Sequence, residues 1–450
     1  MSSILFKDAV IVTMNPSRDI IRGNLLVDND TIKAIGKTDD KVDCSPTKVI
    51  NANGKVIIPG LIQAHIHLCQ TLFRGQAEDL VLLDWLKKYI WPLEGAHDPE
   101  SLYYSALVGI GELFRSGTTA IIDMGTVNNT DIIFGAILES GVRAISGKCM
   151  MDQKGNCPKC LLESTDASIQ ESVDLLEKWH GRDNGRLLYA FAPRFAISCS
   201  EDLLLQVKYL ASKYNVRIHT HASENEVEVA FIQKQRKMRN IVYFKHLGML
   251  DHNLILAHCI WLDAEEMEIL QENGVNVVHC PSSNLKLGSG IAKIPEMLAE
   301  NINVCLGSDG APCNNTLDLF TDMRIAALIQ KPLHGPAAMP ALKTFELATL
   351  GGAKAMGLEK EIGSLEVGKK ADLAMIDMRN LHCTPNEGTD IYSQLVYQVK
   401  SSDVTLTMID GKIVYENGVL KTIDEEDIIR KANIAITRIY RKASIKNFIV

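Results

Sequence analysis

The sequence predicts an α/β protein with a (β/α)8 barrel at its centre and a separate small β-domain where its two termini meet. Three observations carry this. Eight apolar, β-rich runs alternate with helical stretches between residues 56 and 310, which is the arithmetic of eight strand–helix units and a parallel sheet. The opening 55 residues and the end of the chain share a different texture, of short strands and tight turns. The 450 residues leave room for one barrel with a satellite, at roughly 100–200 residues per domain.

At the start, Ile4–Met14, Gly23–Val27 and Thr31–Ile35 read as strands, with Asp28-Asn29-Asp30 and Asn53-Gly54 as punctuation. The barrel runs are Val56–His67, Thr118–Gly125, Arg143–Met151, Leu187–Phe195, Arg217–Glu224, Leu254–Trp261, Val275–Ser282 and Asn303–Gly310. Helical stretches follow most of them, among them Glu201–Lys213, Ala264–Asn273 and Ile294–Asn301. Asp372–Asp377, Asp403–Met408 and Lys412–Tyr415 return to strands, with Asp410-Gly411 as a hairpin turn before the last. Glu425–Lys446 reads as a surface helix. The expected boundaries are 1–57 and 358–450 for the β-domain, the final helix included, and 58–357 for the barrel.

Composition narrows the function classes. Hydrophobic residues at 46% and charged residues at 23% are those of a soluble globular enzyme. A net charge of −8 argues against nucleic acid or an anionic membrane as partner and leaves small ligands open. No apolar run approaches the ~20 residues of a membrane span. MSSILFKDAVIVTM lacks the basic and apolar regions of a secretory signal. The 11 cysteines are odd in number and scattered, which suits reduced, buried thiols in a cytoplasmic protein. Cys157-Pro-Lys-Cys160 is a lone CxxC without a second pair, read as a loop accident.

Catalytic groups of a barrel sit at the C-terminal ends of its strands. Those ends carry His65-Ile66-His67, Arg194, His221 with Glu224, His258, His279 and Asp309. A lone strand histidine is more often a hydrogen-bonded core residue, but so many at matching ends point to a metal. Period-two spacing places His65 and His67 on one face. The same spacing leaves His219 and His221 as equal candidates for one ligand position. Nitrogen and carboxylate donors without thiolates favour Zn²⁺, with Fe²⁺ or Mn²⁺ as alternatives. His97, His180, His246, His252, His334 and His382 fall in helices or loops and read as surface or core. No GxGxxG, P-loop or GxSxG elbow is present.

The segments PGLIQAHIHLCQ, HTHASEN, LAHCIWLD, HCPSSNLKLGSG, LGSDGAP and EIGSLEVGKKADLAMID resemble the aminohydrolase branch of the amidohydrolase superfamily over nearly the whole chain. That resemblance implies a distorted TIM barrel with a composite β-sandwich, and often a homodimer. It implies one divalent ion, held by His65, His67, His221 and Asp309, and so selects His221 over His219. Asp309 and His258 would then orient and deprotonate the attacking water. Glu224 matches the acid that moves protons to the ring nitrogen and to departing ammonia. A carbamylated-lysine two-metal hydrolase is disfavoured, because LLYAFAPRFA ends the fourth strand without a lysine. A silent scaffold is disfavoured because every ligand is present.

For the substrate, AISGKCMMD, GRLLYAFAPRFAISCS and HIHLCQ are similar to guanine deaminases. In that comparison Gln70, Arg194 and Phe195 contact the purine, with the Arg194 fork on a carbonyl edge. By contrast, QTLFRGQAEDLVLLDWLKKYIWPLE and LGSDGAPCNNTLDLFTDMRIAALIQK look more like S-adenosylhomocysteine and methylthioadenosine deaminases, where Trp85 and Glu94 would hold a sugar. Lys148 in place of an arginine, and Arg194 in place of a histidine, weigh against the nucleoside. The expected reaction is therefore guanine to xanthine and ammonia. The alternative is an adenosine-type nucleoside, followed by a pterin, 8-oxoguanine or a triazine.

Overall fold

The computed structural model describes residues 3–38 and 46–445. Eight parallel strands, Leu61–Ile66, Thr118–Met124, Arg143–Gly147, Leu187–Pro193, Arg217–Ala222, Leu254–His258, Asn276–His279 and Asn303–Leu306, pair in that order. A parallel bridge between Ile66 and Asp309 returns the last to the first. There the Asp309 N–H donates to the His65 carbonyl at 3.1 Å. The approach is close enough to require glycine at 307, where a Cβ would lie 2.7 Å from the His65 carbonyl oxygen. Strands such as Thr118–Met124 and Leu254–His258 are buried at every position, because helices cover the barrel outside and side chains fill it inside. The helices carry their own start and stop signals. Ala264–Asn273 opens on an Asp263/Glu266 capping box and ends on Gly274 at φ 63°.

Both termini build a second sheet of nine strands. Ser3–Val12, Ile20–Asp28, Thr31–Lys37, Lys48–Asn51 and Lys55–Pro59 join Leu373–Asp377, Val404–Ile409, Lys412–Glu416 and Val419–Leu420. The seam between the two halves is antiparallel, with Ile57 opposite Met375. Phe6, Ile11, Leu25, Ile57, Leu373 and Met408 form a core of its own. Arg143, at the start of the third barrel strand, ties barrel to sheet. Its Nε donates to Asp372 Oδ2 at 2.7 Å and its Nη2 to Oδ1 at 3.1 Å, and it also binds Asp410.

The structure departs from the sequence reading at three places. The run Val56–His67 is two strands in two different sheets, broken at Pro59-Gly60. A Cβ on Gly60 would meet Thr119 Oγ1 at 2.0 Å, so only glycine lets the chain cross there. Arg143–Met151 likewise divides, into Arg143–Gly147 and Cys149–Met150. The final helix, Glu425–Ala443, packs on the barrel helix Pro99–Arg115 rather than on the sheet. Arg438 reaches Glu100 at 2.7 Å and Arg115 reaches Glu425 at 2.6 Å. Lys446 lies outside the described residues.

No helix among the described residues is long and apolar enough to cross a membrane. Cys157 and Cys160 are free thiols, and burial pushes Cys157 up to about 11. Neither falls in a metal-holding group of the described residues.

Candidate active site

Four imidazoles and one carboxylate meet at the C-terminal mouth of the barrel. His65 lies one residue before the end of the first strand and His67 follows it in extended backbone. His221 lies on the fifth strand, His258 ends the sixth, and Asp309 follows the eighth. Backbone geometry aims them. Ser223, His258 and Asp309 all take left-handed φ angles, of 52°, 75° and 63°, so three strands turn sharply where the side chains must point inward. Such angles cost energy in non-glycine residues and cluster at functional sites.

Each ring is oriented by its outer nitrogen. His67 Nδ1 donates to the Met124 carbonyl at 3.0 Å and His221 Nδ1 to the Arg194 carbonyl at 2.6 Å. His258 Nδ1 donates to Asn284 Oδ1 at 2.8 Å. His65 Nδ1 meets His219 Nε2 at 2.8 Å. The Nε2 atoms of His67, His221 and His258 are thereby left with their lone pairs facing the centre. His65 Nε2 and His67 Nε2 lie 3.3 and 3.4 Å from Asp309 Oδ1. The Nε2 atoms of His65 and His258 are buried with no hydrogen-bond partner.

Nitrogen and carboxylate donors converging at this range form a set that could hold a divalent cation. The ligand atoms of His65, His221 and His258, and those of His65, His67 and Asp309, fall within 4.8 Å of one another. Burial lowers the pKa of His65, His67, His219 and His221, taking His67 to about 3, so the rings are neutral donors. Burial alone would raise Asp309, but the surrounding imidazoles of His65, His258 and His67 outweigh it and hold its carboxyl well below the ordinary range. Ser283 Oγ donates to Asp309 Oδ2 at 2.7 Å.

Glu224 stands on the other side of His258, its Oε2 3.6 Å from His258 Nε2. Burial, then the charges of Asp309 and Glu228, raise its carboxyl well above the ordinary range. A carboxyl held protonated near neutral pH is equipped to give a proton and take it back.

A narrow cleft opens on this centre, with Gln70, Trp85, Arg194 and Phe195 in its walls. The Phe195 ring lies edge-on to His221, centroids 6.5 Å apart. Glu94 stands behind Gln70 and Arg194. Arg194 grips it with both arms, Nη1 to Oε2 at 2.6 Å and Nη2 to Oε1 at 3.1 Å, and Gln70 Nε2 donates to Oε1 at 2.8 Å. The planar fork expected on a purine carbonyl is thus on Glu94.

His279 is buried but outside the cleft lining. His97 is a core residue between Ser101 Oγ and the Cys69 carbonyl, and His180 accepts from the Tyr189 N–H. Sequence reasoning missed the supporting groups. His219 orients His65, Asn284 orients His258, and Asp123 holds the Leu68 N–H at 2.9 Å just past His67. Ser283 and Asn284 sit inside the quoted HCPSSNLKLGSG segment, which was their only signal.

A closed barrel with one cation site at its mouth and a composite terminal sheet defines a class of metal-dependent hydrolases. The model of the Amidohydrolase family matches residues 56–414, and the chain belongs to that family. The 5′-deoxyadenosine deaminase of Methanobrevibacter smithii is 40% identical over 97% of this chain and 98% of its own length. An adenosine deaminase from Xanthomonas campestris, solved with bound zinc, superimposes with a TM-score of 0.92 at 32% identity, covering 98% and 99% of the two chains. E. coli guanine deaminase follows at 0.84 and 29%, covering 93% and 100%. The nucleoside deaminases are thus nearer than the guanine deaminase, against the order expected from the fourth-strand segment.

Proposed function

We propose that this chain deaminates an adenosine-type nucleoside, 5′-deoxyadenosine or another 5′-modified adenosine, to the inosine-type product and ammonia. The observation that carries the nucleoside over guanine is the Arg194–Glu94 grip, which commits the guanidinium expected to read guanine. The 40% identity to a 5′-deoxyadenosine deaminase supports the same choice.

His65, His67, His221 and Asp309 would hold the divalent ion, for which the donor set favours zinc. Such an ion lowers the pKa of water towards about 7 and so supplies hydroxide at neutral pH. Asp309 and His258 Nε2 accept the proton of the attacking water and fix its line of approach to the amine-bearing carbon. Glu224 gives its proton to the adjacent ring nitrogen, which lets that carbon accept the nucleophile. The carboxylate so formed takes up the proton of the newly added hydroxyl and gives it to the departing amine, and the proton held on His258 and Asp309 restores the acid. Phe195 and Trp85 exclude bulk water from the ring faces.

Ammonia release by metal-replete protein, comparing 5′-deoxyadenosine, S-adenosylhomocysteine and guanine by kcat/KM, tests this. A preference of either nucleoside over guanine above about 10³, roughly 4 kcal/mol, is the expected result. A guanine preference of that size would overturn it.

A further inference from the structure

Apart from His258 Nε2 at the metal centre, the cleft walls contain two buried polar atoms without partners, Gln70 Oε1 and Trp85 Nε1. Gln70 is 1% exposed and lines the cleft. Its amide has only one workable orientation. Both Glu94 oxygens already accept from the two arms of Arg194, so Glu94 is the acceptor here and the Gln70 NH₂ faces it. The Gln70 carbonyl oxygen is therefore presented as an acceptor that a ligand must satisfy, since a buried unpaired carbonyl costs free energy. Across the adenine ring the remaining edge atoms, N3 and N7, are acceptors themselves. The only N–H group is the reacting amine, which faces Glu224, His258 and Asp309.

Resting on the nucleoside reading above, we infer that Gln70 Oε1 is a specificity-determining acceptor for a sugar hydroxyl of the substrate, with the Glu94–Arg194 pair fixing its direction. Trp85 Nε1–H, the complementary donor, is available to an oxygen of the same sugar. Gln70 then selects for the pentose and is indifferent to the purine edge, the reverse of a base reader.

The experiment compares 5′-deoxyadenosine with its 2′-deoxy and 3′-deoxy forms on metal-replete wild-type protein and on Gln70→Met. In the wild type, loss of one hydroxyl should lower kcat/KM by roughly 10- to 100-fold, as for a buried partner left unpaired. In Gln70→Met that penalty should shrink to within about threefold, with no such change in metal content. Turnover of all three nucleosides at equal rates by the wild type overturns the inference without any variant, and leaves the nucleoside reading standing. A uniform loss on all three in Gln70→Met would place the acceptor at the reacting amine and also overturns it. No turnover of any nucleoside overturns the substrate class, and this inference with it.

Discussion

Arg194 and Glu94, one hundred residues apart in the chain, form a two-armed ion pair with side chains 6% and 4% exposed. Burial of both charges makes the pair costly to break and far less costly to remove. Arg194→Met should destabilise the protein by about 3–5 kcal/mol, because Glu94 is left an uncompensated buried charge. The double variant Arg194→Met/Glu94→Leu should recover much of that loss. Chemical denaturation of the four proteins of the cycle at one metal concentration decides it. A single-variant loss below about 1 kcal/mol would mean that the pair is not closed in solution.

Glu224→Gln keeps the shape of the carboxyl and removes its proton transfer. Turnover should fall roughly 10²- to 10⁴-fold, while metal content stays at the wild-type level. Single-turnover kinetics with metal analysis on the same sample separates the two. Near-full activity in a metal-loaded variant would remove Glu224 from the proton path.

His219 touches the metal centre only through His65. Its replacement by alanine frees the His65 ring to rotate, and should weaken metal binding by about 10- to 100-fold. His219→Gln, which retains an acceptor, should restore part of that affinity. Competition with a chelator, followed by metal release, reports this without reference to catalysis. Equal affinity in all three proteins would make His219 a packing residue.

Asp322 gives a pH signature of its own. It is fully buried, and although Ser282 and Asn314 donate to it, burial raises its carboxyl to about 7. Unfolded, it titrates near the ordinary 3.8. Between those values the folded chain binds more protons than the unfolded one, so the contribution of Asp322 to stability falls as pH rises through the window, by about 1.4 kcal/mol per unit. Above about pH 7 the loss is complete. Asp322→Asn should lack this slope. Urea denaturation of both proteins at pH 5 and 7.5 should show the variant gaining on the wild type at the higher pH, and parallel changes would refute the shift.

The barrel was legible because eight apolar runs keep strand length and return at regular intervals. Its seams were less so. Val56–His67 has apolar residues on both sides of Pro59-Gly60, and nothing local says that this pair carries the chain from one sheet into another. The ligand histidines were visible from their strand ends, yet period two could not separate His219 from His221. Three-dimensional packing does, placing one behind His65 and the other at the centre. The Arg194–Glu94 pair was not legible, because Glu94 lies on a helix that no spacing rule connects to the fourth strand. Ion pairs across such separations leave no periodic trace.

The tie between Arg143 and Asp372, 229 residues further on, has a consequence for the order of synthesis. When the ribosome has finished the eighth barrel strand, the third strand still carries a bare guanidinium. Lys55–Pro59, whose neighbour on one side is Leu373–Asp377, still has an open edge on that side. The nascent barrel must therefore wait for Asp372 and the strand Leu373–Asp377 before either is covered, and an open strand edge is a template for pairing with other chains. Chains stalled or truncated before Asp372 should be the ones that aggregate or engage chaperones, whereas a stop placed after Leu420 removes only the final helix and leaves the nine-stranded sheet complete.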